Sequence, residues 1–163
     1  MVGRLRTWVR RRRAASGGRR GRPGAYRGDV VGTPRVEYAP SADGDADPGE
    51  IVWAWVPYEE DASRGKDRPV LVLARSGDDL LGLMLTSKDH DRDPQRGGGG
   101  GHSDGPVWFD IGSGAWDRQG RPSEVRLDRV LRLAPSAVRR EGAALDRARF
   151  DQVAAAAREV LGW

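Results

Sequence analysis

Two short apolar runs, residues 51–56 and 70–74, stand out along the chain because a polar stretch separates them. Both runs are rich in β-branched and aromatic or aliphatic residues and are bounded by proline, glycine and charged residues, which is typical of buried strands. Apolar residues occupy both alternating positions of the first run, so both faces of that strand need cover, from the rest of a barrel or from a partner subunit. The pattern therefore predicts two strands joined by a long polar loop over residues 57–67.

This loop is too long and too charged for a tight hairpin, and loops of that kind often carry function. It leads to Arg68, which stands directly before Pro69. Proline restricts the residue before it to extended geometry. We therefore expect Arg68 at the entrance of the second strand, with a fixed side-chain direction.

Shorter apolar runs predict further strands over residues 80–85, 107–111, 124–127 and 130–133, the last two as one bent strand or two short ones. Two long loops separate them, one glycine-rich at residues 97–101 and one carrying Trp116 in its middle. Short strands with long connections suggest a small β-barrel.

A helix is predicted at the end of the chain. Leu145 and Asp146 precede it as hydrophobic staple and N-cap, Phe150 completes the staple, and Gly162 ends the helix. The sequence therefore favours a mainly β fold, a small barrel with a C-terminal helix laid over it.

Residues 1–47 have a different composition, rich in arginine, glycine, proline and serine, and too poor in apolar residues to offset the entropy of ordering. We expect residues 1–47 to be a disordered tail and residues 48–163 to be the folded domain. The tail holds 11 arginines against 5 acidic residues, whereas the rest of the chain holds 17 basic and 19 acidic residues. The tail is either a solvated leader or a nonspecific contact for nucleic-acid phosphates.

Several kinds of function are excluded or disfavoured. The chain has no cysteine and therefore no disulfide or thiolate metal site. No run of about 18 apolar residues could span a membrane, and the expected location is the cytoplasm. The glycines at residues 97–101 lack the lysine and hydroxyl residue of a phosphate-binding P-loop. Asp89, His90 and Asp91 form a weak metal or proton-transfer cluster or, more simply, a hydrophilic loop.

The most informative group is Arg68 together with Thr86 and Ser87, which follow the third predicted strand. In a small barrel these positions can meet at one rim, where a guanidinium and hydroxyls would hold a phosphate and stabilise charge on its oxygens. The alternative is an ordinary ion pair between Arg68 and one of the loop carboxylates, with Thr86 merely ending a strand. Those carboxylates are Glu59, Glu60 and Asp61.

Four segments together resemble a known family: Pro-Gly-Glu-Ile-Val-Trp at residues 48–53, Gly65 followed by Arg-Pro-Val-Leu-Val-Leu at 68–73, Thr86-Ser87, and Arg-Leu-Asp-Arg-Val-Leu at 126–131. With the closing helix, they resemble the PemK/MazF family of toxin endoribonucleases over about residues 48–163.

The resemblance implies an SH3-like barrel, a homodimer, and metal-independent cleavage of single-stranded RNA through attack by a 2′-hydroxyl, with no cofactor and with inhibition by a cognate antitoxin protein. It identifies Arg68 and Thr86 as the catalytic pair and places Gly65 and Lys66 in a mobile loop that contacts RNA. Ser87 and Trp116 would help to shape the RNA groove. Trp116 would do so by stacking on a base, although an aromatic in that loop can instead cover the barrel end or meet a partner.

Two other functions stay open. The domain could be a noncatalytic SH3-like barrel that binds protein or nucleic acid, or the arginine-rich tail could act as the main nucleic-acid tether. Attack by a 2′-hydroxyl also needs a general base, for which His90, Glu59 and Asp128 are equal candidates.

Overall fold

The computed structural model describes residues 26–87 and 105–163, in which eight strands and one α-helix are found. The strands are β1 (Tyr26–Asp29), β2 (Glu50–Pro57), β3 (Gly65–Ser76), β4 (Asp79–Thr86), β5 (Trp108–Gly112), β6 (Ser123–Arg126), β7 (Leu131–Leu133) and β8 (Val138–Ala144), and the helix is α1 (Arg147–Leu161). A short 3-10 turn, Pro135–Ala137, precedes β8. No helix of the described residues is long and apolar enough to cross a membrane.

The strands form one antiparallel sheet in the order β1-β7-β4-β3-β2-β8, from which β6 and β5 branch at β4. The first half of β4 pairs with β7, and its last residues, Leu85 and Thr86, pair with β6. Among the described strands β8 pairs only with β2 and β5 only with β6, so the sheet stays open. The predicted mainly β fold with a C-terminal helix is confirmed.

Both faces of β2 carry buried residues, while Trp53 and Trp55 are only partly buried. Ile51 packs with Leu71, Leu83 and Phe150 in a core between the sheet and α1. Val52, Ala54 and Val56 belong to a second buried cluster on the opposite face of the sheet, which also contains Val70, Val72, Leu80, Met84, Leu131 and Leu133. The chain thus forms a buried core on each face of β2, as the apolar residues at both alternating positions of this strand require.

The predicted helix forms as its sequence indicates. The Asp146 side chain accepts a hydrogen bond from Arg149 N–H, and Gly162 adopts the left-handed conformation, with φ of 70°, that ends the helix. Phe150, Val153, Ala154 and Ala157 face the core, whereas Val160 is 41% exposed.

The loop prediction needs correction. The loop between β2 and β3 is shorter than residues 57–67, because β3 already begins at Gly65. Arg68 therefore lies inside β3, opposite Ala54 of β2, and not at the strand entrance. Gly65 fits there because a side chain would collide with the Val56 carbonyl, 2.3 Å from a Cβ at this position.

Two strands were not predicted. β8 has no continuous apolar run, and two register shifts interrupt its pairing with β2. β1 lies inside the segment assigned to a disordered tail, yet it pairs with β7, and Glu37 N–H and Ala39 N–H donate to carbonyls of Leu73 and Pro48. The disorder prediction is therefore wrong for residues 26–47, while residues 1–25 lie outside the described part.

Tyr38 links this N-terminal segment to the core. Its hydroxyl donates to the Leu145 carbonyl at 2.7 Å, and its ring centre lies 5.1 Å from that of Phe150. Such long-range contacts supply the apolar burial that the local composition lacks.

Replacing Tyr38 tests whether this segment belongs to the folded unit. We expect Tyr38→Ala to lower the free energy of unfolding by about 2–3 kcal/mol, since a partly buried aromatic ring and its hydrogen bond are lost. Val31, which is 98% exposed in the same segment, provides the control. Val31→Ala should stay within about 0.5 kcal/mol of the wild type in chemical denaturation, and equal stability of both variants would contradict the assignment.

Candidate functional site

A cleft of about 200 Å³ opens where β3 and β4 separate. Their pairing ends at Val70 and Met84, next to Pro69, which has no N–H to donate to a ladder. The cleft is lined by Trp53, Lys66, Asp67, Arg68, Pro69, Leu85, Thr86, Ser87, Asp117, Arg121 and Ser123. Four of the predicted site residues, Lys66, Arg68, Thr86 and Ser87, thus lie around one cleft.

The strand register explains why Arg68 and Thr86 meet. Val70 lies opposite Met84, and continuing that register by two residues on each strand places Arg68 opposite Thr86, on the same face. Thr86 is only 5% exposed, because it also pairs with Glu124 of β6. Ser87 and Lys66 are exposed at the mouth of the cleft.

The side chain of Arg68 is half-buried and forms no ion pair or hydrogen bond with any residue that the structure describes. Burial lowers the pKa of its guanidinium below the usual value, an effect that nearby Tyr58 opposes. An arginine stays protonated in proteins, so the cleft contains a partly desolvated positive charge. The arrangement is suited to holding an anion.

Two of the three carboxylates proposed as alternative partners of Arg68, Glu59 and Asp61, are engaged elsewhere. Glu59 pairs with Arg126 at 2.7 Å, and Asp61 accepts hydrogen bonds from the backbone and hydroxyl of Ser63. Asp67, next to Arg68 in sequence, pairs with Arg139 at 2.9 Å. Within the described residues the ordinary ion pair expected for Arg68 is therefore not formed.

Two predicted site residues do not line the cleft. Gly65 lies in β3, packed against the backbone of β2, instead of in a loop. Trp116 is 5% exposed and belongs to the main core, so its ring faces have no room for a base. Its indole N–H donates to Ser123 Oγ at 3.0 Å, and its carbonyl accepts from the Trp53 indole at 3.0 Å. The stacking role predicted for Trp116 is therefore wrong in this conformation.

Two of the three base candidates, Glu59 and Asp128, also lie apart from the cleft. Arg126 holds Asp128 at 3.0 Å and Glu59 at 2.7 Å, and neither carboxylate lines the cleft. His90 lies outside the described residues. The structure thus brings neither of the two described candidates to the cleft.

Sequence reasoning missed Asp117 and Arg121, from the segment between β5 and β6, and Ser123, the first residue of β6. The signal available in the sequence was an acidic and a basic residue four positions apart, Asp117 and Arg121. In the structure they form an ion pair, with 2.8 Å between the Arg121 Nε and the Asp117 Oδ2. This segment has no hydrophobic period, so its position beside β3 follows only from the fold. A second cavity, of about 220 Å³, lies between β5 and α1 and is lined by none of the predicted site residues.

The burial of Trp116 leads to a direct prediction. Trp116→Ala should lower the free energy of unfolding by about 3–5 kcal/mol, as for other buried aromatic residues. Trp116→Phe, which keeps ring packing and loses the hydrogen bond to Ser123, should cost about 1 kcal/mol. Chemical denaturation measures both, and a Trp116→Ala variant with wild-type stability and weakened RNA binding would instead support base stacking.

Asp128 makes the stability depend on pH. Burial alone would raise the pKa of Asp128, but hydrogen bonds from Arg126 and from Val107 N–H outweigh it and lower that pKa. The folded state therefore binds this proton less readily than the unfolded state, whose aspartate pKa is about 3.9. The resulting stabilisation is fully present when the pH lies above the aspartate pKa of the unfolded state, and it is lost as the pH falls through the lower pKa of the folded state.

Asp128→Asn should remove this contribution, so the loss of stability on acidification should be smaller than in the wild type. At neutral pH the variant should be less stable by about 1–3 kcal/mol, because a hydrogen bond to a charged group is weakened. Asp78→Asn, at an exposed aspartate, is the control. Denaturation midpoints measured from neutral to acidic pH test this, and parallel curves for Asp128→Asn and the wild type would refute it.

Comparisons with known proteins agree with the fold. The family model of the PemK-like, MazF-like toxins of type II toxin-antitoxin systems matches residues 47–161. A crystal structure of MazE-MazF (Form-II) from Deinococcus radiodurans is similar with a TM-score of 0.50 and 20% identity, over 74% of this chain and 98% of the other. No curated protein matches in sequence. Because the family model covers most of the chain, the protein belongs to the PemK-like, MazF-like toxins of type II toxin-antitoxin systems.

Proposed function

We propose that this toxin is an endoribonuclease that cleaves single-stranded RNA in the cleft between β3 and β4. The observation that carries the proposal is the half-buried guanidinium of Arg68, which has no carboxylate partner among the described residues and shares a cleft with Thr86. A desolvated cation without a counter-ion favours an anionic ligand, and a planar guanidinium matches the geometry of a phosphate.

The proposed reaction is attack of a ribose 2′-oxygen on the adjacent phosphorus. The bond from phosphorus to the 5′-oxygen of the next nucleotide breaks, which leaves a 2′,3′-cyclic phosphate and a 5′-hydroxyl. Negative charge grows on the nonbridging oxygens during the attack, and donors already oriented toward them lower the barrier. The positively charged guanidinium of Arg68 is proposed to stabilise this negative charge, and Thr86 to donate its hydroxyl to the same phosphate.

The remaining cleft residues are proposed to bind the strand. Lys66 and Ser87 line the same cleft and are exposed, so they can contact the neighbouring sugar or phosphate. In-line attack requires the 2′-oxygen, the phosphorus and the leaving oxygen to align, and a regular RNA duplex does not allow this. The substrate is therefore single-stranded RNA.

An antitoxin protein is the proposed regulatory partner. The family description places these toxins in toxin-antitoxin systems, and the similar Deinococcus structure is one of MazE with MazF. We propose that this chain likewise pairs with an antitoxin that limits access to the cleft. A homodimer, a cytoplasmic location and nonspecific nucleic-acid contact by the arginine-rich tail stay predictions from the sequence.

Substitution of Arg68 tests the enzyme assignment. Arg68→Ala should lower cleavage of a mixed single-stranded RNA pool by at least about 100-fold, the scale for loss of one charge-stabilising donor. Its stability should change by less than about 1 kcal/mol, because no ion pair to a described residue is lost. Thr86→Val, which keeps the shape of the side chain, should lower the rate by a smaller factor.

The matched control is Arg64→Ala, at an exposed arginine of the preceding loop that does not line the cleft. It should cleave at the wild-type rate. Cleavage by Arg68→Ala at the wild-type rate would remove this cleft as the active site. Absence of cleavage in the wild type, with no growth arrest on induced expression, would instead favour the noncatalytic barrel.

A further inference from the structure

The segment between β5 and β6, residues 113–122, brings a second guanidinium to the cleft. Arg121 lines the cleft together with Lys66 and Arg68, and its side chain is 48% exposed. We call this segment the β5–β6 loop. It lies outside the strands that carry Arg68 and Thr86, so its contribution to the cleft is independent of theirs.

Two hydrogen bonds of Trp116, one through its backbone carbonyl and one through its indole N–H, hold the β5–β6 loop in place. The indole of Trp53 in β2 donates to the Trp116 carbonyl, and the indole of Trp116 donates to Ser123 at the start of β6. Gly114 leaves the space that the Trp116 ring fills, because a Cβ at Gly114 would lie 2.1 Å from that ring. The loop therefore presents its polar side chains from a fixed backbone.

Asp117 orients Arg121. Asp117 is only 8% exposed. One oxygen of its carboxylate accepts a hydrogen bond from the Gln119 N–H and the other from the Arg121 Nε, each at 2.8 Å. The two terminal amino groups of Arg121 form no hydrogen bond with any residue in the described ranges. Arg121 is thus held by its Nε while the fork of the guanidinium stays available to a ligand.

We propose that Arg121 binds a second phosphate of the RNA strand, next to the phosphate held by Arg68. The inference rests on the proposed function for the identity of the ligand. A polymer with one phosphate per nucleotide matches two separate guanidiniums around one cleft, and each is suited to bidentate binding. The site then requires a substrate with two consecutive phosphates. The position of Arg121 decides whether the phosphate on the 5′ or the 3′ side of the cleaved phosphate is bound.

Salt dependence of binding tests this contact. The probe is a short single-stranded 2′-O-methyl RNA, in which the attacking oxygen is blocked, measured by fluorescence anisotropy between about 50 and 200 mM salt. Arg121→Ala should weaken binding about tenfold at the lowest salt, since one charge-assisted contact is lost. It should also reduce the slope of log affinity against log salt by about 0.7, the value for one phosphate contact of a single strand.

Arg118→Ala is the matched control, because Arg118 is an exposed arginine of the same loop that does not line the cleft. It should keep the wild-type slope and bind within about twofold of the wild type, as expected for loss of a solvent-screened surface charge outside the cleft. An unchanged slope in Arg121→Ala would overturn the proposal. An equal loss in Arg118→Ala would overturn it too, since general charge would then explain the binding.

A second experiment separates this inference from the proposed function. DNA strands with a single ribonucleotide define one cleavable phosphate, and methylphosphonates replace its neighbours one at a time. In the wild type one neighbour should be sensitive to this neutralisation, and Arg121→Ala should lose sensitivity at that position while Arg118→Ala retains it. If the wild type cleaves none of these strands, the endoribonuclease proposal fails, whereas the salt slopes still decide whether Arg121 contacts phosphate.

Discussion

Pro69 has no amide hydrogen, and the ladder between two central strands ends beside it. Beyond Val70 and Met84 the ends of β3 and β4 separate, and β4 takes β6 as its new partner. This change of partner opens a cleft within an otherwise paired sheet, with Arg68 on one wall and Thr86 on the other. The separation depends on the two buried clusters on either side of the sheet, since they hold both strands in place up to the point where pairing ends.

The distribution of charge gives the cleft its chemical character. Acidic residues in the surrounding segments are held by other arginines, as in the pairs of Glu59 with Arg126 and of Asp67 with Arg139. Arg68 is left half-buried with no such partner in the described part of the chain. Local placement of cations thus makes the cleft suited to an anion, although the net charge of residues 48–163 is negative.

The segment before the family match is part of this folded unit. Residues 26–46 precede the matched range, yet β1 extends the sheet at β7 and Tyr38 closes over the core beside Phe150. Arg129 connects this segment with the neighbourhood of the cleft, because it contacts both Asp29 of β1 and the Pro57 carbonyl at the end of β2. The N-terminal segment therefore supports the strand that leads into the loop before Arg68.

The sequence by itself determined the six apolar strands, the helix with its Asp146 cap and Gly162 end, and the expectation that Arg68 and Thr86 lie near each other. These follow from local periodicity, from capping and from a family motif. Only the tertiary structure decided the strands β1 and β8, the burial of Trp116 and the arrival of Arg121 at the cleft. The physical reason is that their stabilising contacts come from residues far away in the chain, such as Trp53 for Trp116 and Leu145 for Tyr38. Local composition does not reveal such long-range contacts, whereas an apolar run or a capping residue is itself the local signal for its strand or helix.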